Sequence, residues 1–313
     1  MDKKLILAVV VLLVFIIGGA YSFLTNPVNE DIVTIGYLPS DHDAALFVAQ
    51  AQGEYAAHGI ETELVQFNNG GDLMTGMASG EVDIGYGGIT PVLSAVEKGV
   101  PIKVVAGAQI EGSGIAVSPE SDIDSPEDLA GKSIATPGEA SIQYMLLQYY
   151  LEDNNMSTDD MNISAMKVAP MNDALNANKI DGMLTYEPYV TMAVENGNEM
   201  FIKSSEILPE HPCCVVAASE RFIDENPDKL DTIISIHENA TEFILENPDE
   251  AAELLPEDIV ADVEIEKKAI SGIKFVYGLN ETYKQSIMDF MQIEVDLGIL
   301  EEPIPATDIF WEG

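Results

Sequence analysis

Between Val33 and Tyr86 the sequence sets out a strand, a helix, a strand, a helix and a strand, with glycine-rich turns between them. Few folds accommodate that order: it opens an α/β sheet, whose ligands sit at the carboxyl ends of its strands. Val33-Thr34-Ile35-Gly36-Tyr37 alternates β-branched residues and breaks at Leu38-Pro39-Ser40. Asp43 to His58 then carries small and apolar residues at helical spacing, with Gly59 as the stop. Ile60 to Phe67 alternates again, so that Glu61 and Glu63 point outward if Ile60, Thr62 and Leu64 face in. Asn68-Asn69-Gly70-Gly71 turns into a short helix from Asp72 to Gly80, and Val82 to Gly88 reads as a buried strand.

Hydrophobic residues make up 47% of the 313, enough for a sizeable core. The 54 acids against 14 basic residues give a formal charge of -40, which repels phosphate backbones and anionic headgroups and argues against nucleic acid as a partner. Such a surface keeps a protein dispersed where salt screens its self-repulsion. Acid clusters such as 250–257 read as solvated helix faces, because no spacing matches a calcium loop.

Leu5 to Leu24 is an apolar run without a charge. At ~1.5 Å per residue its length matches a hydrocarbon core of ~30 Å, and Lys3 and Lys4 against Glu30 and Asp31 orient the lysines inward. A membrane anchor over 1–24 and a linker over 25–31 are therefore expected. Gly18-Gly19-Ala20 leaves a cleaved signal peptide, and with it secretion, as the alternative. No cysteine near this segment offers a lipid attachment.

The stretch from Val33 to Gly107 resembles the solute-binding receptors of ABC importers for sulfonates, taurine, nitrate and similar small molecules. It includes Gly36-Tyr37-Leu38-Pro39-Ser40, Asn69-Gly70-Gly71-Asp72-Leu73 and Val82-Asp83-Ile84-Gly85-Tyr86. Asp128-Leu129-Ala130-Gly131-Lys132 before Ser133-Ile134-Ala135, and Lys179-Ile180-Asp181-Gly182 before Tyr186-Glu187-Pro188, stand at family positions, so the resemblance runs to the C-terminus. It implies a periplasmic-binding-protein type II fold: two α/β lobes, each a mixed sheet flanked by helices, with the ligand cleft between them. The chain is expected to cross near Ser113 to Ser118 and to return near His211 to Ala217. Lobe one is then 32–118 plus 212–313, and lobe two 119–211. The resemblance also implies a monomeric extracytoplasmic receptor, without cofactor or catalytic residues, that hands a small organic solute to an ABC permease and its ATPase. Proteins that bind thiamine-pyrimidine precursors, and pyrimidine-precursor synthases of the same fold, supply the alternative. The synthases carry histidine and cysteine constellations for which the sequence shows no counterpart.

In that fold the cleft walls are the loops and helix starts at strand ends. Lobe one would supply Ser40, Asp41 and His42 after the first strand, Gly87, Gly88 and Thr90 after the third, and Gln109, Glu111 and Ser113 before the crossing. Lobe two would supply Thr136, Gly138, Glu139, Ser141 and Gln143, then Met171 and Asn172, then Tyr186 and Glu187. A helix expected from Glu139 to Leu151 would aim free N–H groups at an anionic group such as a sulfonate, with Ser141 adding a hydroxyl. Glu139, an acid in the first turn, competes for the same positive end. Arg221 is the single arginine, so an inorganic anion would meet Asp41, Glu111, Glu139 and Glu187 without a guanidinium. A zwitterion such as taurine, or a neutral or cationic heterocycle, fits better. Tyr37, Tyr86, Tyr144 and Tyr186 are candidates to stack on a ring or hold a cation.

Cys213 and Cys214 are the two cysteines. Neighbours bridge only through a strained eight-membered ring, so no structural disulfide is expected. They read as small apolar strand residues or, following His211-Pro212, as cleft lining. His42, His211, Asp41 and Cys213 offer donor atoms, but without H-x-x-x-H or C-x-x-C spacing no metal site is expected.

Overall fold

The computed structural model describes residues 32–257, 259 and 262–313, and the expected anchor and linker over 1–31 lie outside the described residues. Among the described residues no helix is long and apolar enough to cross a membrane. β1 (Ile32–Tyr37), β2 (Glu61–Gln66), β3 (Ile84–Gly88) and β4 (Ile102–Ile110) open a first sheet. The chain then crosses and builds a second from β5 (Ser113–Val117), β6 (Ser133–Thr136), β7 (Asn162–Ala165), β8 (Gly182–Tyr186) and β9 (Glu199–Lys203). It returns with β10 (Pro212–Ser219) and β11 (Lys274–Phe275). The orders are β11-β4-β10-β3-β1-β2 and β7-β6-β8-β5-β9. Both sheets are mixed: β1 pairs in parallel with β2 and β3, β10 runs antiparallel between β3 and β4, and β5 runs antiparallel between β8 and β9.

The crossing falls earlier than the sequence suggests. β5 belongs to the second sheet, so residues 113–117 leave the lobe-one span that was expected to reach 118. The turn is made at Glu111 and Gly112, whose φ angles of 61° and 76° are both left-handed and swing the strand out of one sheet into the other. The two crossing segments are tied side by side. Glu111 N–H donates to the His211 carbonyl (3.1 Å), Glu210 N–H donates to Glu111 Oε1 (2.8 Å), and Lys274 pairs with Glu111 at 3.2 Å.

The flanking helices used below are α1 (Ala44–Gln52), α2 (Gly70–Ser79), α3 (Ile89–Glu97), α4 (Ile142–Asp153), α5 (Tyr189–Glu195), α6 (Pro227–Glu246), α7 (Val263–Ser271) and α8 (Glu281–Asp296). The helix expected over 43–58 stops at Gln52, because Gly53 at φ 73° turns its N–H back onto the carbonyls of Ala49 and Gln50. A separate single turn, Glu54–Ala57, follows. On the edge strand β2, Glu61 and Glu63 are exposed while Thr62 and Leu64 are half-buried, and outward charge there blocks further strand pairing.

One face of the first sheet packs Val33, Ile35 and Ile84 against Leu46 and Phe47 of α1 and Ile233 and Ile236 of α6. The other core gathers Leu73 and Met77 of α2, Leu93 of α3, and Ile287 and Phe290 of α8. There α2 lies on bare backbone. A Cβ at Gly36 would collide with Leu73 Cδ1, one at Gly85 would stand 2.7 Å from Met77 Sδ, and one at Gly87 would stand 2.9 Å from Leu73 Cδ2. Glycine in β1 and β3 therefore lets α2 settle against the sheet, which carries its N-terminus to the strand ends. Gly36→Ala should lower the unfolding free energy by ~1–3 kcal/mol through overpacking, measured by denaturant titration. Unchanged stability would contradict this close approach.

Candidate ligand-binding site

A cavity lies between the lobes at the carboxyl ends of β1, β3 and β8. Lobe one lines it with Leu38, Ser40, His42 and Asp43 after β1, Asn69 and Gly70 at the start of α2, Gly88 and Pro91 at the start of α3, and Cys214 of β10. Lobe two adds Pro137, Ser141, Ile142 and Gln143 at the start of α4, and Tyr186 at the end of β8. The cavity is narrow, with a volume of ≈ 30 Å³. A roomier cavity, ≈ 340 Å³ by the same measure, is lined by Glu111, Ser113, Glu187, Lys203 and Lys268. Helix ends rather than volume distinguish the first.

Three helix N-termini converge on it. Asn69 caps α2, accepting from Asp72 N–H at 2.9 Å, and Ser141 caps α4, accepting from Tyr144 N–H at 3.2 Å. α3 starts after Gly88 without a side-chain cap. The unpaired N–H groups and dipoles of the three helices make this region positive although no lysine or arginine lines it. Asp43 is the acid on its wall. Burial pushes its pKa up to about 7, although its bond from Leu38 N–H (2.9 Å) and the neighbouring His42 pull the other way.

His42 is fixed from both sides. Its Nε2 lies 2.9 Å from the Gly112 carbonyl, and since a carbonyl only accepts, Nε2 carries a proton. Residue 112 must be small, because a Cβ there would stand 2.6 Å from Nε2. Nδ1 faces Cys213 Sγ at 3.7 Å and Cys214 Sγ at 3.6 Å, and the sulfurs are 4.0 Å apart. Consecutive strand residues normally point to opposite faces. Irregular pairing of β10 with β4 on both sides of Cys214 turns the two thiols to one ring. Burial opposes a thiolate at Cys213, yet the Cys214 thiol and His42 outweigh it and hold Cys213 well below the usual thiol range. Cys214 is pushed well above that range by Cys213 and by burial. Burial lowers the His42 pKa, but Cys213, the Gly112 carbonyl and Asp43 overcome it and leave the ring raised.

The sequence reading that no histidine–cysteine constellation exists is therefore corrected. Chain spacing could not reveal a group whose members are 171 residues apart and meet through a strand irregularity. Of the other donors expected with it, neither joins: His211, whose buried ring nitrogens have no hydrogen-bond partner, and Asp41, which faces Glu266, stand outside the trio.

Among the residues expected at the cleft, Ser40, His42, Gly88, Ser141, Gln143 and Tyr186 line the cavity. The others are used elsewhere. Glu111 holds the crossing, and Ser113 Oγ accepts from Gln143 Nε2 at 3.0 Å. Glu187 Oε2 accepts from Thr191 N–H at 2.9 Å in the first turn of α5. Thr136 Oγ1 accepts from Gly138 N–H at 3.3 Å, and Asn172 Nδ2 donates to the Tyr189 carbonyl at 3.1 Å. Thr90 is buried away from the cavity, and Glu139 is exposed. The helix expected from Glu139 begins at Ile142, because the Ser141 hydroxyl is its cap and also donates to the Gly138 carbonyl at 2.6 Å. Neither Glu139 as a first-turn acid nor Ser141 as a free hydroxyl survives. Leu38, Asp43, Asn69 and Gly70 were missed. The last two follow the rule applied to the first and third strands, extended to the turn after the second.

Residues 26–256 match the profile of the NMT1-like family. The chain belongs to that family. This NMT1-like chain is 27% identical over 236 residues to the taurine-binding periplasmic protein of Escherichia coli (strain K12), across 74% of this chain and 72% of that protein. It shares its fold with the alkanesulfonate-binding protein SsuA from Xanthomonas axonopodis pv. citri bound to MOPS, at a TM-score of 0.78 and 16% identity over 90% of this chain and 98% of the other. The periplasmic aliphatic sulphonate binding protein SsuA from Escherichia coli gives a TM-score of 0.75 at 15% identity, over 90% and 92%. The two-lobe periplasmic-binding-protein fold expected from the sequence is the fold of this NMT1-like chain.

Behind the cavity the NMT1-like chain buries an acid pair. Burial first, then the facing Glu266 and the charge of Glu187, hold Asp41 well above the usual carboxylate range, and burial raises Glu266 of α7. A carboxyl with a raised folded pKa contributes stability that is complete below its unfolded value, ~4, and is lost as pH rises through the folded value. Asp41→Asn removes that loss. From pH 5 to pH 8 the thermal midpoint of the parent should fall further than that of the variant, by at least about 2 °C. Parallel pH profiles would contradict the assignment.

Proposed function

We propose that this chain is the extracytoplasmic solute receptor of an ABC importer, closing over a small organic solute that carries a sulfonate or carboxylate, with a taurine-like aminosulfonate as the first choice. The reading rests on three helix N-termini meeting at one interlobe cavity that no lysine or arginine lines. A sulfonate has oxygens for those N–H groups. An ammonium at the other end of the solute would face Asp43, and the Tyr186 hydroxyl, buried without a partner on the cavity wall, offers a further polar contact. Relatives named for taurine and alkanesulfonates agree with this chemistry. The uncharged run from Leu5 to Leu24 and the periplasmic relative agree with a place outside the cytoplasm.

Closure has visible contacts. Ser40 Oγ (3.1 Å) and Asp41 N–H (3.3 Å) both donate to the Glu187 carbonyl, and Lys268 pairs with Glu195 at 2.8 Å, all from one lobe to the other. A solute that touches both lobes favours this form over an open one by its differential affinity. A second reading, a receptor for thiamine-pyrimidine precursors or a related enzyme of the fold, is favoured by the thiol–imidazole group at the cavity wall.

Screening sulfonates, aminosulfonates, carboxylates and pyrimidine precursors by thermal shift tests both. At a free concentration of ~100 times the dissociation constant the true solute should add about 2.7 kcal/mol of stability and be recovered unchanged by mass spectrometry. Asn69→Asp keeps the helix cap but sets a carboxylate among the N–H groups, so sulfonate affinity should fall about tenfold or more, while the lost bond from Asn69 Nδ2 to Asp72 Oδ2 (3.0 Å) should lower stability by only about 1 kcal/mol. Chemical conversion of the hit would favour the enzyme, and an unaltered affinity in Asn69→Asp would put the anion elsewhere.

A further inference from the structure

We propose that His42 Nδ1, Cys213 Sγ and Cys214 Sγ form a site for a thiophilic metal cation of the zinc class, set in the wall of the interlobe cavity with one coordination position facing the solute. The three donor atoms lie within 4.8 Å of one another. Tetrahedral coordination, with metal–sulfur bonds of ~2.3 Å and a metal–nitrogen bond of ~2.0 Å, sets the sulfurs about 3.8 Å apart and each about 3.5 Å from the nitrogen. The observed separations are 4.0, 3.6 and 3.7 Å. The donors already stand at the corners of one face of a coordination sphere.

The outer contacts support the same assignment. The Gly112 carbonyl accepts from Nε2–H at 2.9 Å, which turns Nδ1 toward the sulfurs, the usual arrangement for a metal-bound imidazole. The imidazole nitrogen and the two sulfurs face one another, each with an electron pair to offer a metal. A cation at the centre satisfies all three. The strand irregularity at Cys214 achieves an alignment that regular β-structure forbids. Opposite Cys214 in the strand pairing stands Gln109, whose buried amide faces the Cys214 thiol.

On binding, the two protons shared among His42 Nδ1, Cys213 Sγ and Cys214 Sγ pass to solvent, each sulfur donates a pair, the imidazole donates its nitrogen pair, and no electron is transferred. Two sulfurs and a nitrogen select soft or borderline cations over magnesium and calcium. Since His42 and Cys214 line the cavity, the fourth position opens onto it. There the cation would supply the positive charge that no lysine or arginine provides. This last role rests on the solute-receptor reading, whereas the site itself does not.

The whole chain, purified reduced and stripped by a chelator, is titrated with cobalt(II) and then with zinc. One equivalent of cobalt should produce sulfur-to-metal charge-transfer absorption and the intense visible bands of tetrahedral coordination, and zinc should bleach them. Cys213→Ser and Cys214→Ser should each lose the charge-transfer intensity while cobalt bound by the acidic surface contributes none. Zinc should raise the thermal midpoint of the parent and not of Cys214→Ser, which keeps the test decisive if another variant folds poorly. Absence of the bands at one equivalent, or their persistence when both cysteines are serine, would overturn the site. Taurine affinity should rise at least tenfold with zinc bound. An equal affinity would overturn the anchoring role while leaving both the metal site and the receptor reading standing.

Discussion

The loop after β1 is held to the interlobe crossing by one side chain. His42 donates from Nε2 to the Gly112 carbonyl, 70 residues away, and Gly112 can offer that carbonyl only because it lacks a Cβ and takes a left-handed φ. Glu111, beside it, is tied to Glu210 and Lys274, so the ring rests on the point where both connecting segments run together. Much of the cavity depends on this placement. Ser40 and Asp41 reach across to the Glu187 carbonyl from the same loop, Asp43 anchors Leu38, and the free edge of the imidazole is presented to the two thiols.

Electrostatics at the cleft run against the charge of the whole molecule. A chain with a formal charge of -40 gathers three helix N-termini around a small cavity and keeps basic side chains out of its lining. The acids nearest it are moderated by burial: Asp43 is pushed up to about 7, and Asp41 and Glu266 face each other with raised pKa values. Close to the cavity, fixed backbone dipoles act over a few ångströms with little water between. The acidic surface lies farther away and is screened by salt within about 10 Å.

Much of this architecture is legible in the residues. The alternation of Val33 to Tyr37 becomes β1, and the outward acids of β2 are exposed. What was missed has local causes. Glu111 is not a glycine, so its left-handed φ leaves no trace in the sequence and the crossing was set several residues late. Ser141 takes the cap of α4 ahead of Glu139, because its hydroxyl can bond both Tyr144 N–H and the Gly138 carbonyl. The meeting of His42 with Cys213 and Cys214 depends on a bulged strand and on a contact across most of the chain, neither of which has a spacing rule.

The central claim is that the solute lies against the three helix N-termini. Amide hydrogen exchange of the whole chain with and without taurine tests it most directly, because a sulfonate that accepts from those N–H groups slows their exchange. The account predicts protection concentrated at Gly70 and Gly71, Ile89 and Thr90, and Ile142 and Gln143, the first residues of α2, α3 and α4. Protection absent from these residues, or confined to the cavity lined by Ser113, Glu187, Lys203 and Lys268, would contradict it.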